Sequence, residues 1–143
     1  MATEYVPGIR LVRPLADYDS KGYWEALQKH ELRIQKCKRC GLRLHPPRPM
    51  CPRCLDTEKE WALSSGKGII YSWVNFVHQP SAYPGIKIPY AVVIVEMEDE
   101  GVRILSNVVD MKPEDIYIGM PVEAVFEDID EEFTLLKFKK REV

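Results

Sequence analysis

Long hydrophobic runs are missing from this chain of 143 residues. The longest, Tyr90 to Val95, falls far short of the ~20 apolar residues that span a bilayer, so no membrane role is expected. Met1 to Arg13 carries no apolar core of the kind a secretory leader needs. Glycine is scarce and never forms a phosphate-cradling loop: Gly66-Lys67-Gly68 lacks the third glycine and the helix that should follow. The three histidines, His30, His45 and His78, stand in unlike contexts, none with a spaced carboxylate and nucleophile around it. Ser64-Ser65 sits in a linker-like stretch, outside any strand–Gly-x-Ser-x-Gly–helix elbow. Glu98-Asp99-Glu100 reads as a solvated turn. These absences argue against turnover by the chain alone.

Cysteine is also sparse, but all of it is concentrated. Cys37-Lys38-Arg39-Cys40 and Cys51-Pro52-Arg53-Cys54 are two Cys-x-x-Cys pairs ten residues apart. Such pairs place four thiolates on one tetrahedral ion, the closed shell of structural zinc, with no open position for water or substrate. Iron in a rubredoxin-like site, a disulfide pair and a redox dithiol are the alternatives. The last wants a strand–Cys-x-x-Cys–helix context that Pro, Arg and Gly do not offer here. His45 is a weak competitor as ligand while four thiolates are at hand. Paired metal-type cysteines predict a reducing, cytoplasmic setting.

The net charge of −2 hides an asymmetry. Residues 29–53 hold eight Lys/Arg against one acid, net +7, whereas residues 54–143 are net −8. Basic neighbours neutralise a four-thiolate zinc site, which is itself net negative. The same residues also suit phosphate groups.

In chain order, residues 1–16 read as a surface arm. Asp17 to Ser20 offer capping side chains for a short helix over 21–28, with Tyr23, Trp24 and Leu27 on one face. Leu32 to Cys37 and Leu42 to Leu44 read as ribbon strands, with Gly41 suited to a positive φ after the first pair. Leu55 to Leu63 leads out of the ribbon, Trp61 packing between the halves, and Ser64 to Gly68 is a break. The expected division is 1–30 arm and helix, 31–60 ribbon, 61–143 barrel. Strands are expected at 69–78, 90–97, 102–109, 122–126 and 133–139, with a helical turn at Lys112-Pro113-Glu114-Asp115. The first is apolar on both sides, which suggests a bent strand serving two surfaces. Five strands with a helical element between the third and fourth predict a mainly β chain ending in an oligonucleotide/oligosaccharide-binding (OB) barrel.

A zinc ribbon beside such a barrel suggests single-stranded nucleic acid, with Tyr71, Trp73 and Phe76 as stackers. The barrel's −8 repels a polyanion, so nucleic acid is the weaker reading. The stronger one is a protein-interaction module that meets an anionic small molecule.

Several segments together resemble a known family. They are Tyr23-Trp24-Glu25-Ala26-Leu27, Leu32 to Cys37, Pro46-Pro47-Arg48, Cys51-Pro52-Arg53-Cys54, Glu60-Trp61 with Ser65 to Gly68, Pro89-Tyr90-Ala91-Val92, Ile118-Gly119-Met120 and Val125-Phe126-Glu127. They resemble the two-domain zinc-ribbon/OB-fold family long catalogued as domain of unknown function thirty-five. The resemblance implies a helical segment, a rubredoxin-like zinc ribbon on Cys37, Cys40, Cys51 and Cys54, and an OB-fold barrel. It also implies a non-catalytic subunit beside a thiolase-fold enzyme of acyl-CoA metabolism. Examples are the acetoacetyl-CoA thiolase/hydroxymethylglutaryl-CoA synthase assembly, steroid side-chain aldolases and benzoylsuccinyl-CoA thiolase. No catalytic residue is handed over. On that reading, Lys38, Arg39, Arg43, Arg48 and Arg53 are candidates to attract the phosphates of CoA. The 79–88 connection, with Tyr83 and Lys87, is a candidate to shape the entrance to a partner's tunnel.

Overall fold

The structure is a computed structural model that describes residues 3–8, 11–78 and 85–142. One helix, α1 (Lys21–Gln28), precedes a three-stranded antiparallel ribbon of β1 (Arg33–Cys37), β2 (Arg43–Leu44) and β3 (Lys59–Leu63), in the order β2-β1-β3. Five further strands follow: β4 (Lys67–Phe76), β5 (Tyr90–Met97), β6 (Arg103–Asn107), β7 (Pro121–Asp128) and β8 (Thr134–Lys140). Their order is β6-β5-β4-β7-β8, all antiparallel. A parallel bridge, Val108 to Phe138, joins the two outer strands and nearly closes a barrel. The 3-10 turn Pro113–Asp115 sits between the third and fourth barrel strands, with Pro at its start where no amide partner is needed.

Helix α1 has the predicted bounds. Asp17 and Ser20 brace its start by exchanging backbone and side-chain bonds: Ser20 N donates to Asp17 Oδ1 (2.8 Å) and Asp17 N to Ser20 Oγ (3.1 Å). At the other end His30 adopts φ 58°, with its amide donating to Leu27 O and that of Glu31 to Ala26 O. That is a Schellman-type end carrying His where glycine is usual. The choice has a reason in packing. The imidazole stacks on Phe126 (5.3 Å, 9°) and its Nε2 meets Asp128 at 3.0 Å, so the helix end is tied to β7. Trp24 meets Phe133 edge-on, and Gln28 Nε2 donates to Glu132 O. The helix therefore docks on the barrel as well as the ribbon, and Trp24 anchors it.

Two readings of the chain need correction. Lys59–Leu63 is no simple exit from the ribbon: it pairs with β1 from Arg33↔Leu63 to Cys37↔Lys59 and forms the ribbon's third strand. Trp61 lies on it, half-buried, against Gly22 of α1. The first barrel strand also starts and ends two residues earlier than expected, and its alternation is broken by a bulge between Ile70 and Ser72. The extra residue shifts the phase of the side chains. Gly68 and Ile70 point into the core before it; beyond it Val74 and Phe76 face outward, 54% and 40% exposed. Two surfaces are served, but one of them is solvent.

The core runs through both halves. Phe138, Ile70, Val93, Val95, Met120 and Val122 are fully buried in the barrel, and Leu27, Leu32 and Ile34 continue the cluster toward the ribbon. No helix among the described residues is long and apolar enough to cross a membrane.

Candidate metal centre and surrounding surfaces

The two cysteine pairs lie on matching turns. In each, the amide of the residue after the second cysteine returns to the first: Gly41 N to Cys37 O and Leu55 N to Cys51 O, both 2.9 Å. Both closing residues have positive φ, 78° at Gly41 and 64° at Leu55. Glycine takes that conformation freely, whereas leucine pays about 1 kcal/mol or more for it. The turns aim backbone amides at sulfur. The Leu42 amide is the main reason the Cys40 thiol sits low, at about 6, and the Cys54 amide likewise lowers Cys51.

The four Sγ atoms lie within 4.8 Å of one another, with Cys37–Cys54 and Cys40–Cys51 both at 3.5 Å. Sulfurs at ~2.3 Å around a tetrahedral ion are separated by about 3.8 Å, so the cluster fits zinc bound by four thiolates. Cys37 and Cys51 are buried and the other two half-buried. His45 is not in the group. Its ring lies 5.6 Å from that of Tyr23, and burial lowers its pKa to about 4.

Around the centre, Arg53 Nη2 donates to Cys40 O (2.7 Å), so this cation braces a knuckle. Lys38, Arg39 and Arg48 are exposed and Arg43 half-buried; none of the four pairs with a carboxylate among the described residues. Lys36 by contrast approaches Glu60 at 3.9 Å. Gln35, buried on β1, was not singled out by its sequence context: its Oε1 accepts the Arg48 amide (2.8 Å) and fixes the proline-rich connection. Tyr83 lies outside the described residues. Lys87 is exposed, and its amide donates to Glu4 O, where the N-terminal arm crosses the barrel through the bridge Tyr5↔Ile86.

The expected base-stacking residues are engaged elsewhere. The Arg103 guanidinium covers Tyr71 at 3.7 Å, Phe76 stacks on Tyr90 (5.2 Å, 7°) and Trp73 packs partly against the core.

This combination defines a class: a protein that fuses a rubredoxin-like zinc ribbon, positioned to bind a metal ion, to an OB-type barrel. Residues 24–60 match the family described as ChsH2, rubredoxin-like zinc ribbon domain, and residues 61–127 match ChsH2, C-terminal OB-fold domain. A DUF35 domain-containing scaffold protein of Methanocaldococcus jannaschii is 46% identical over 98 residues, 68% of each chain. A probable enoyl-CoA hydratase alpha subunit of Thermomonospora curvata is 36% identical over 137 residues, 96% of this chain but only 42% of that subunit. The chain thus spans less than half of that relative. Among solved structures, a chain of the Ltp2-ChsH2(DUF35) aldolase superposes with TM-score 0.82 at 36% identity, covering 90% of this chain and 98% of that one. The chain belongs to the ChsH2/DUF35 family of zinc-ribbon/OB-fold proteins.

Proposed function

We propose that the protein is a non-catalytic accessory subunit of an acyl-CoA enzyme complex, with a thiolase-fold enzyme as its partner. The observation that carries this reading is the similarity to the ChsH2 chain of an aldolase complex over nearly that chain's whole length. The name of the hydratase-subunit relative supports acyl-CoA as the substrate class. In this reading Cys37, Cys40, Cys51 and Cys54 hold a structural zinc, and the metal supplies fold energy rather than chemistry. The ribbon, about residues 31–60, carries the unpaired cations Lys38, Arg39, Arg43 and Arg48 toward the phosphates of CoA, while Arg53 serves the knuckle. The barrel, about residues 61–143, faces the partner.

The outer face of β4, β5 and β6 suits that last role. Val74, Phe76 and Leu105 are 54%, 40% and 70% exposed there, an apolar surface of the kind that marks a protein contact. Co-expression with a thiolase-fold candidate and sizing of the product test the reading. A stable hetero-oligomer that turns over acyl-CoA only when assembled is expected. Turnover by this chain alone, or failure of every candidate to associate, overturns it. Leu105→Glu should abolish association with zinc content unchanged. Charge reversal at Arg39 and Arg48 should weaken CoA binding by the complex more at low salt than at high. Equal weakening at both would remove the phosphate role.

A further inference from the structure

One end of the barrel holds a cavity of about 400 Å³, far from the cysteines in sequence and separate from the basic ribbon face. Its walls are Tyr90, Ala91 and Val109 from the barrel strands and their ends, with Met111 and Ile116 from the connection around the 3-10 turn. The N-terminal arm, through Thr3 and Glu4, forms another side. The arm is held there by Val6 N to Gly85 O, by Lys87 N to Glu4 O and by Tyr5 OH donating to Glu127. At the rim Lys87 and Lys112 are balanced by Glu4 and Asp110, so the mouth has no net formal charge. A volume of this size with mainly apolar walls suits a small-molecule chain.

The distinctive polar group of this cavity is Asn107. An ammonium has no acceptor, so the Lys137 Nζ to Asn107 Oδ1 bond (2.8 Å) fixes which end of the amide is oxygen. Asn107 Nδ2 then donates one of its two N–H bonds to Ala91 O (2.8 Å). The second N–H has no acceptor among the described residues, on an amide that lines the cavity. Lys137 itself is only 4% exposed, and its partner is a neutral amide. Its burial lowers the ammonium's pKa, partly offset by Glu127. Lys137 also lines a second cavity, with Glu127, Lys139 and Asp110.

Barrel closure does not require this buried cation. The seam between β6 and β8 is already held by Ser106 Oγ to Leu136 O (2.7 Å), Val109 N to Phe138 O (2.8 Å) and the Val108–Phe138 bridge. An apolar pair would fill the same place without the cost of desolvating an ammonium. What the lysine adds is polarisation: a cation bonded to the amide oxygen strengthens donation from the amide nitrogen.

We infer that this cavity is a binding site for an apolar chain capped by a carbonyl or carboxylate oxygen, to which the second N–H of Asn107 donates. The site needs neither the ribbon's basic face nor a partner protein. It is therefore tested on the full, zinc-loaded chain alone, by amide chemical shifts with hexanamide, hexanoate and 1-hexanol as probes. The shifts should map to residues 86–91 and 107–116. The carbonyl probes should bind at least about tenfold tighter than the alcohol, a difference of about 1.4 kcal/mol. Asn107→Asp keeps an acceptor for Lys137 but removes the donor, so hexanamide should lose its advantage and hexanoate should be rejected. Met111→Trp, which fills the cavity from its half-buried side, should abolish binding of all three. The inference is overturned if hexanamide binds no tighter than hexanol, if the shifts map elsewhere, or if the preference survives Asn107→Asp. Should Asn107→Asp fail to fold, the mapping, the probe ranking and Met111→Trp decide. Hexanoate binding without hexanamide binding would also overturn it, because a bare charge site would then suffice.

Discussion

Gly22→Ala sets two effects of opposite sign against each other. Replacing glycine by alanine within a helix normally stabilises by about 1 kcal/mol, less near the helix start where Gly22 lies. Here the added Cβ would stand 2.3 Å from Trp61 Nε1, 2.4 Å from Cε2 and 2.8 Å from Cδ1. Carbon contacts settle at about 3.5–4.0 Å, so the indole must retreat by about 1 Å or more. Trp61 has limited freedom to do so, because β3 pairs with β1 along its length and Arg33 Nη1 donates to Trp61 O (3.2 Å). Overpacking of this kind costs about 1–3 kcal/mol, so the clash outweighs the propensity gain and the variant should be less stable by about 1–2 kcal/mol. Urea unfolding of the zinc-loaded chain measures it. In a Trp61→Leu background the clash is gone, and Gly22→Ala should be neutral or stabilising by up to about 1 kcal/mol. The cycle should therefore show a coupling of about 2 kcal/mol. Additivity within about 0.5 kcal/mol would refute the reasoning, as would a more stable Gly22→Ala in the natural background.

Leu55→Gly should stabilise by about 1 kcal/mol, read by the same urea assay, because an exposed leucine holds a backbone conformation that glycine takes freely. Gly68→Ala should cost at least about 2 kcal/mol, since its Cβ would meet Glu96 O at 2.8 Å and Val95 Cγ1 at 2.6 Å, and main chain cannot step aside. His45 is held neutral by burial, its pKa lowered from 6.5 to about 4, so the unfolded chain binds more protons between those values. Its contribution is full above pH 6.5 and falls as pH drops toward 4, by up to about 2–3 kcal/mol. Between pH 7.5 and 5, His45→Phe should lose less stability than the natural chain; parallel curves would contradict this. Chelation should expose amides of residues 33–63 to exchange while those of residues 91–95 stay protected, and simultaneous loss of both would show that the barrel cannot stand without the metal.

The metal centre was legible because its information is local: two pairs at fixed spacing are nearly a complete description of a four-thiolate shell. Helix α1 was equally plain, since Tyr23 and Leu27 mark one face and Asp17 and Ser20 mark the start. The five barrel strands were readable as apolar, β-branched runs between turn signals, with ends shifted by a residue or two. What was not legible depends on contacts between distant residues. Lys59 to Leu63 reads as a strand of the ribbon only once it lies beside β1, whose partners are more than twenty residues earlier. The bulge after Ile70 leaves no mark in a segment that is apolar on both sides. Lys137 looks like one more surface lysine in Phe133 to Lys140, and only the approach of Asn107 shows it to be buried. The arm likewise has no periodicity, because its place is set by the barrel it crosses.

The ties that hold the first thirty residues have a consequence for synthesis. Tyr5 bonds to Glu127, Arg13 to Asp130 at 2.8 Å, and His30 to Asp128 at 3.0 Å. Each joins one of the first thirty residues to the end of β7 or the turn that follows it. On the ribosome these three ties form only after residues 127–130 have emerged, later than the packing of the helix on the ribbon and the bridge of the arm to residues 85–87. The cysteines at positions 37 to 54 are available long before, so the nascent chain can capture its ion while the barrel is still missing its last two strands. A chain halted short of residue 127 would therefore hold a loaded ribbon whose arm and helix lack these three ties to β7 and the turn after it.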